Sequence, residues 1–230
     1  MRKIIITSLF LLSSWWLSGQ AGHTPFFPSE EGKVWTYQHF DAEGELQNTS
    51  RHTIKSVQAI SDSTWATSVS AVLLDLEGDS IVGHEYQVLS KNGVLFTNLL
   101  TLLGPQLTGS LLHMELGITG DPFVLPQNLI AGRNLPDARS ELEASVKGAQ
   151  GILQMDFNIK NRAIEASEDL RLGNRDYPTH KITFDLEVLV MVKKRYRIVQ
   201  YWTKTGQRGL VRAEIYDRRG ELEAYSVLAN

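Results

Sequence analysis

Cysteine is absent from the whole 230-residue chain. Its absence excludes disulfides, structural thiolate zinc, thiol catalysis and a lipid anchor on a cysteine. No excess of one charge is present either: 23 basic and 26 acidic residues give −3, which becomes −5 once Arg2 and Lys3 are removed with the N-terminal leader. A mildly acidic chain carries no footprint for nucleic acid or polyphosphate. Beyond the N-terminus no apolar run is long enough to span a bilayer; "FDLEVLVMVKK", residues 184–194, is short, carries acids and alternates. The 6 histidines, His23, His39, His52, His84, His113 and His180, lack His-x-His and His-Glu-x-x-His spacing. A zinc site would have to be assembled by the fold, so no metal is expected, and no cofactor.

What is present begins with "MRKIIITSLFLLSSWWLSGQAG": two basic residues, an apolar run over residues 4–17, then small and polar residues. This is the layout of a secretory signal. Residues 1–20 are read as a signal peptide cleaved after Gln20 or Ala21. Residues 21–230 are read as a single exported β-rich domain of the periplasm or extracellular space, not a lipoprotein.

Three stretches, "HFDAEGELQN", "LLDLEGDSIV" and "IYDRRGELEA", share an Asp-x-x-Gly-acid pattern. A calcium loop would need oxygen ligands at alternate positions before the glycine and a later bidentate Glu, which none has. The pattern is turn chemistry: an Asp bonding its own backbone two residues on, and Gly44, Gly78 and Gly220 at positive φ in type I turns with a bulge. Between turns the chain alternates with period two; in "QMDFNIK", Met155, Phe157 and Ile159 fall on one face and polar residues on the other. The spacing predicts strands at 34–40, 46–60, 64–74, 81–90, 94–98, 141–147, 154–160, 163–172, 181–192, 195–204, 210–217 and 222–228. The fold class is all-β: an antiparallel β-barrel or strongly curved β-sheet with little helix.

One stretch breaks the rhythm. "TNLLTLLGPQLTGSLLHMELG", residues 97–117, places leucines near helical spacing but is split by Gly104-Pro105, which predicts a short helix or apolar loop. It reads as a plug filling one barrel end or as a mobile lid over a cavity.

Candidate chemistry has plain alternatives throughout. Glu141 with Glu143, and Asp185 with Glu187, are carboxylates two apart that read as a solvated strand face before an acid–base pair. "GDS" at residues 78–80 falls in a hairpin turn, not the strand-to-helix elbow a serine nucleophile requires. The basic run at residues 193–197 is a membrane-facing or partner-facing patch, or simply a soluble hairpin tip. Asp62-Ser63-Thr64 and Asp79-Ser80-Ile81 match the short acceptor pattern of O-glycosylation in Bacteroidota envelope proteins.

Taken in order, Phe27-Pro28, Gly32 and Trp35, then Leu125-Pro126, Leu129, Gly132, Leu135, Asp137 and Ala138, then Trp202, Gly209, Val211, Tyr216, Asp217, Gly220 and Leu222 carry a resemblance. The chain resembles the TapB-like exported bacterial proteins of unknown function (DUF3108-like domain), common among the Bacteroidota. It departs where relatives have an aromatic-rich Gly-x-Phe-x-x-Tyr-Lys; here "GNRDYPTHKITF" supplies Gly173, Tyr177 and Lys181. The resemblance implies a barrel-like antiparallel fold and an envelope location, and no catalytic residues.

The expected function is a non-enzymatic envelope protein binding a lipid-like or apolar ligand. Met155, Phe157, Ile159, Phe184, Val188 and Trp202 are the candidate cavity face, and Leu103 and Leu107 the candidate plug. The alternatives are an assembly or scaffolding protein working on another envelope protein through a strand edge or polar face, and a hydrolase without a visible motif.

Overall fold

The computed structural model describes residues 27–97, 114–126, 128–145, 152–204 and 209–229. β1 (Val34–Asp41), β2 (Leu46–Ser61), β3 (Thr64–Leu74), β4 (Ser80–Lys91) and β5 (Val94–Thr97) come first. β6 (Glu115–Gly120), β7 (Phe123–Leu125) and β8 (Ala138–Ser145) follow. β9 (Ile152–Leu172), β10 (Arg175–Leu189), β11 (Lys193–Thr203), β12 (Leu210–Tyr216) and β13 (Leu222–Leu228) complete the chain. All belong to one 13-stranded sheet in the order β6-β8-β9-β10-β11-β12-β13-β1-β2-β3-β4-β5-β7, and every pairing is antiparallel. No helix among the described residues is long and apolar enough to cross a membrane.

The strands match the alternation closely, and β3 and β13 run as expected. Four differences have physical causes. The two strands expected at 154–160 and 163–172 are the single β9: register shifts opposite Lys181–Ile182 and Thr183–Asp185, with Asn161 at φ 53°, absorb the break as bulges. β10 starts at Arg175, not 181, because Pro178 sits where its carbonyl accepts from Lys204 at the end of the β11 ladder, and its missing N–H faces the same way. The end of the leucine-rich stretch is the strand β6, not helix or loop; the rest of it, with Leu103 and Leu107, lies outside the described residues. The basic run is not the β10–β11 tip: β10 stops at Leu189, residues 190–192 turn, and Lys193 already begins β11.

The repeated Asp-x-x-Gly pattern builds the same turn three times. Asp41, Asp75 and Asp217 each accept at the carboxylate from the backbone N–H four residues on, at Glu45 (2.7 Å), Asp79 (2.7 Å) and Glu221 (2.9 Å). Only Asp217 also takes the expected bond two residues on, from Arg219 at 2.7 Å. Gly44, Gly78 and Gly220 have φ of 85°, 92° and 83°. The three turns link β1–β2, β3–β4 and β12–β13, and the antiparallel registers put all of them at one end of the sheet. Nothing lies within 4 Å of a Cβ built on Gly220, so Gly220→Val would be penalised by the backbone alone. It should cost about 1 kcal/mol or more of unfolding free energy, read by urea denaturation; unchanged stability would show that the turn relaxes freely.

The sheet is open but curled. Its two edges, β6 and β7, are consecutive in the chain, joined only through Asp121 and Pro122. Two residues cannot reach far, so the edges meet along a seam that no ladder closes among the described residues. Asp121 anchors the seam on β8: its N–H donates to the Arg139 carbonyl at 2.7 Å, and its carboxylate accepts from the Arg139 N–H at 3.1 Å. Gly120 is tied to glycine there, because at φ 111° a Cβ would fall 2.4 Å from the Arg139 carbonyl oxygen. Inward-facing residues of nearly every strand form one buried cluster, from Ile54 and Val69 through Leu142 to Ile182 and Phe184.

Candidate functional site

Six of the expected site residues, Met155, Phe157, Ile159, Phe184, Val188 and Trp202, come together in that cluster, each no more than 8% exposed. Phe157 sits opposite Val188 and Ile159 opposite Leu186, so the faces expected on separate strands are one face. They pack as core against Phe123, whose ring lies 5.8 Å from that of Phe184.

Beside them is a residue that sequence reasoning missed. Arg162 is 1% exposed, at the β9 bulge. Its Nη1 donates to the Pro136 carbonyl at 2.9 Å and Nη2 to the Val124 carbonyl at 2.8 Å, while the guanidinium lies 3.8 Å from the Phe123 ring centroid. Burial lowers its pKa to about 10, partly offset by Asp137, so the charge persists at neutral pH. Val124 belongs to β7 and Arg162 to β9, so this side chain clasps the seam. The Leu-Pro-x-x-Leu-x-x-Gly-x-x-Leu-x-Asp-Ala motif is the partner of the clasp. Leu125, Leu129, Leu135 and Ala138 are buried, and Gly132 N–H and Leu135 N–H donate to the carbonyls of Ile164 and Arg162. The motif is therefore architectural.

A second missed group is polar. On the inward positions of β13, β1, β2 and β4, a chain of hydrogen bonds runs Ser226 Oγ to His39 Nδ1 (2.7 Å), His39 Nε2 to Ser50 Oγ (2.8 Å), Ser50 Oγ to His52 Nε2 (3.0 Å) and His52 Nδ1 to Tyr86 Oη (3.1 Å). Trp35 stacks on His52 at 5.4 Å, and Tyr37 meets it edge-on before donating to the Leu210 carbonyl. Burial lowers the pKa of His39 to about 4; burial, with the charges of His84 and His39, lowers that of His52 to about 3. Both rings are neutral at physiological pH. Burial also raises the Tyr37 and Tyr86 phenols. A neutral imidazole has one donor and one acceptor, so the chain has a single polarity along its length. The only signal for it in the sequence was that His39, His52 and His84 each occupy an inward position of an alternating strand.

Carboxylates lie elsewhere. Glu187 is shared by Lys193, Arg195 and Lys160 at 2.9–3.1 Å, and its hydrogen bonds to Lys193 and Lys160 bring its pKa down to about 2. Asp185 and Glu165 pair with Arg197, and Glu141 with Arg139. These are solvated strand-face networks. Asp79 and Ser80 form the β3–β4 turn and the first residue of β4. At the seam an open cleft of about 380 Å³ is lined by Leu89 and Phe96, which are cross-strand partners, and by Ile60, Ile118, Pro122 and Asp121.

The fold of this sheet is shared with two solved structures. A candidate exported protein with a YmcC-like fold from Bacteroides fragilis matches with a TM-score of 0.75 at 16% identity, over 90% of this chain and 98% of its own. A candidate lipoprotein from Parabacteroides distasonis matches with a TM-score of 0.76 at 22% identity, over 89% and 97%. The chain belongs to the DUF3108-like family, which it matches over residues 30–228. Comparison with curated proteins gives no match.

Proposed function

We propose that this is a non-catalytic, exported protein of the cell envelope that holds an apolar or lipid-like ligand at its seam. The observation that carries the reading is the cleft between β4–β5 and the β6–β7 connection, beside the seam that no ladder closes among the described residues, where Leu89, Phe96, Ile118 and Pro122 stand beside Asp121. The expected cavity face is packed, which moves the ligand to the seam. Non-catalytic action is supported by the histidine chain. Both ring nitrogens of His39 are taken by serine hydroxyls, and among the described residues no carboxylate bonds the ring to hold an imidazolium. Export rests on the signal-like run at residues 4–17. Although the Parabacteroides relative is described as a candidate lipoprotein, this chain has no cysteine to acylate.

Native mass spectrometry of the protein as cells release it tests both parts. The expected result is a co-purifying apolar molecule on an unacylated polypeptide beginning near Ala21, with Leu89→Asp plus Phe96→Asp binding an environment-sensitive apolar probe at least about tenfold more weakly. Wild-type protein that carries no ligand and binds no probe would sink the reading. The scaffold reading would then lead, on the free side of β6, which has no ladder partner away from β8 among the described strands.

A further inference from the structure

Most hairpin turns of the described chain use polar or glycine residues: Asp41 and Gly44, Asp62 and Ser63, Asn92 and Gly93, Gly173 and Asn174, Asp217 and Gly220. The β10–β11 hairpin does not. It turns on Val190, Met191 and Val192, which with Leu189 are 37%, 92%, 73% and 42% exposed. Among the described residues the other exposed large apolar side chains, such as Ile60 and Ile130, occur singly. Four consecutive apolar side chains at a solvent-facing tip contribute nothing to the core, and turn geometry does not require them.

Cations stand at the base of this tip. Lys193, Lys194 and Arg195 follow it directly, and the β12–β13 turn brings Arg218 and Arg219 alongside. The five line an open cleft of about 820 Å³, together with two carboxylates, Asp217 and Glu223. Glu187 takes up Lys193 and Arg195, and Asp217 and Glu221 take up Arg219. Lys194 and Arg218 have no ion-pair partner among the described residues.

We propose that residues 189–192 dip into the interfacial zone of a bilayer carrying anionic lipid, with lipid phosphates received by the cationic cleft. An apolar tip over a basic base is what interfacial binding needs: the tip enters the acyl boundary and the cations meet the headgroup charge. A protein partner fits the tip less well. Stable protein interfaces use about 800 Å² per partner around a broad core, whereas a bilayer accepts a small convex wedge without a matching pocket. The inference is independent of the seam ligand, because tip and seam share no residue.

Protein purified as the cell processes it is co-sedimented with vesicles of equimolar phosphatidylglycerol and phosphatidylcholine, and with phosphatidylcholine alone. The wild type should bind the anionic vesicles and release in molar salt. Met191→Asp with Val192→Asp should weaken binding at least about tenfold. Lys194→Glu with Arg218→Glu should weaken it and flatten the salt dependence. All four positions are exposed, so thermal unfolding should not change; if the Asp pair shifts it, Met191→Ser with Val192→Ser replaces that pair. A wild type that does not sediment, binding indifferent to headgroup charge, or tip variants that bind like wild type would each overturn the proposal. Self-association lost in the tip variants without vesicle binding would assign the tip to a second copy of this chain instead.

Discussion

Arg162→Ala is expected to lower the unfolding free energy by about 3–5 kcal/mol, the range for truncating a large, fully buried side chain to alanine. Three losses combine. The carbonyls of Pro136 and Val124 lose their donors, at about 1–3 kcal/mol for a buried unsatisfied group. The Phe123 ring loses its cation, and a cavity opens where a large, fully buried side chain stood. Arg162→Lys should recover little, because one ammonium on a flexible stem cannot reproduce the planar fork that spans two carbonyls. Domains are stable by only about 5–15 kcal/mol, so the Ala variant should be close to the limit of folding. Urea unfolding at neutral pH measures it; a loss below about 1 kcal/mol would mean that the seam holds without its clasp.

The second large effect is acid sensitivity. Well above pH 6.5, His39 and His52 are neutral in both the folded and the unfolded chain. As pH falls below 6.5, the unfolded chain binds protons that the folded rings refuse until about pH 4 for His39 and about pH 3 for His52. The unfolded state therefore binds more protons throughout that window, and stability falls with falling pH by about 1.4 kcal/mol per unit for each ring. For His39 alone the loss reaches about 3 kcal/mol by pH 4. The network should thus contribute fully at neutral pH and progressively less in acid. Urea midpoints between pH 7.5 and 4.5 give the slope, and His39→Gln, which hydrogen-bonds without titrating, should reduce it by one proton. Equal slopes in wild type and variant would remove His39 from the account.

The fold was legible where structure is local. Alternation located most of the strands, and Asp-x-x-Gly located three turns down to the glycine φ. What depends on contacts between distant residues was not. β7 has three residues, too few to show a period. Arg162 looks like a surface arginine in "IKNRAIE", and only the return of residues 124 and 136 past the β9 bulge buries it. Ser226 and His39 are 187 residues apart and meet through the β1–β13 register. The six candidate apolar residues were recognisable as inward-facing, yet whether an inward face lines a space or fills it depends on the opposite wall. Here Phe123, Leu125 and Leu142 supply that wall.

The pairing of β1 with β13 also governs the order in which the molecule can be completed. The first and last strands of the sheet are neighbours in its interior, not at its borders, and Ala229 N–H closes onto the Thr36 carbonyl at 2.8 Å. The hairpins on either side can form early from short loops, but this junction waits for the longest loop in the chain to close. A polypeptide emerging N-terminus first carries β1 with one side unpaired until its final residues arrive. Through that interval it offers a ready template for the strands of other chains. A shortened chain that ends before Leu222 would keep that bare side permanently, so a few missing C-terminal residues would split the sheet at its middle rather than trim its border.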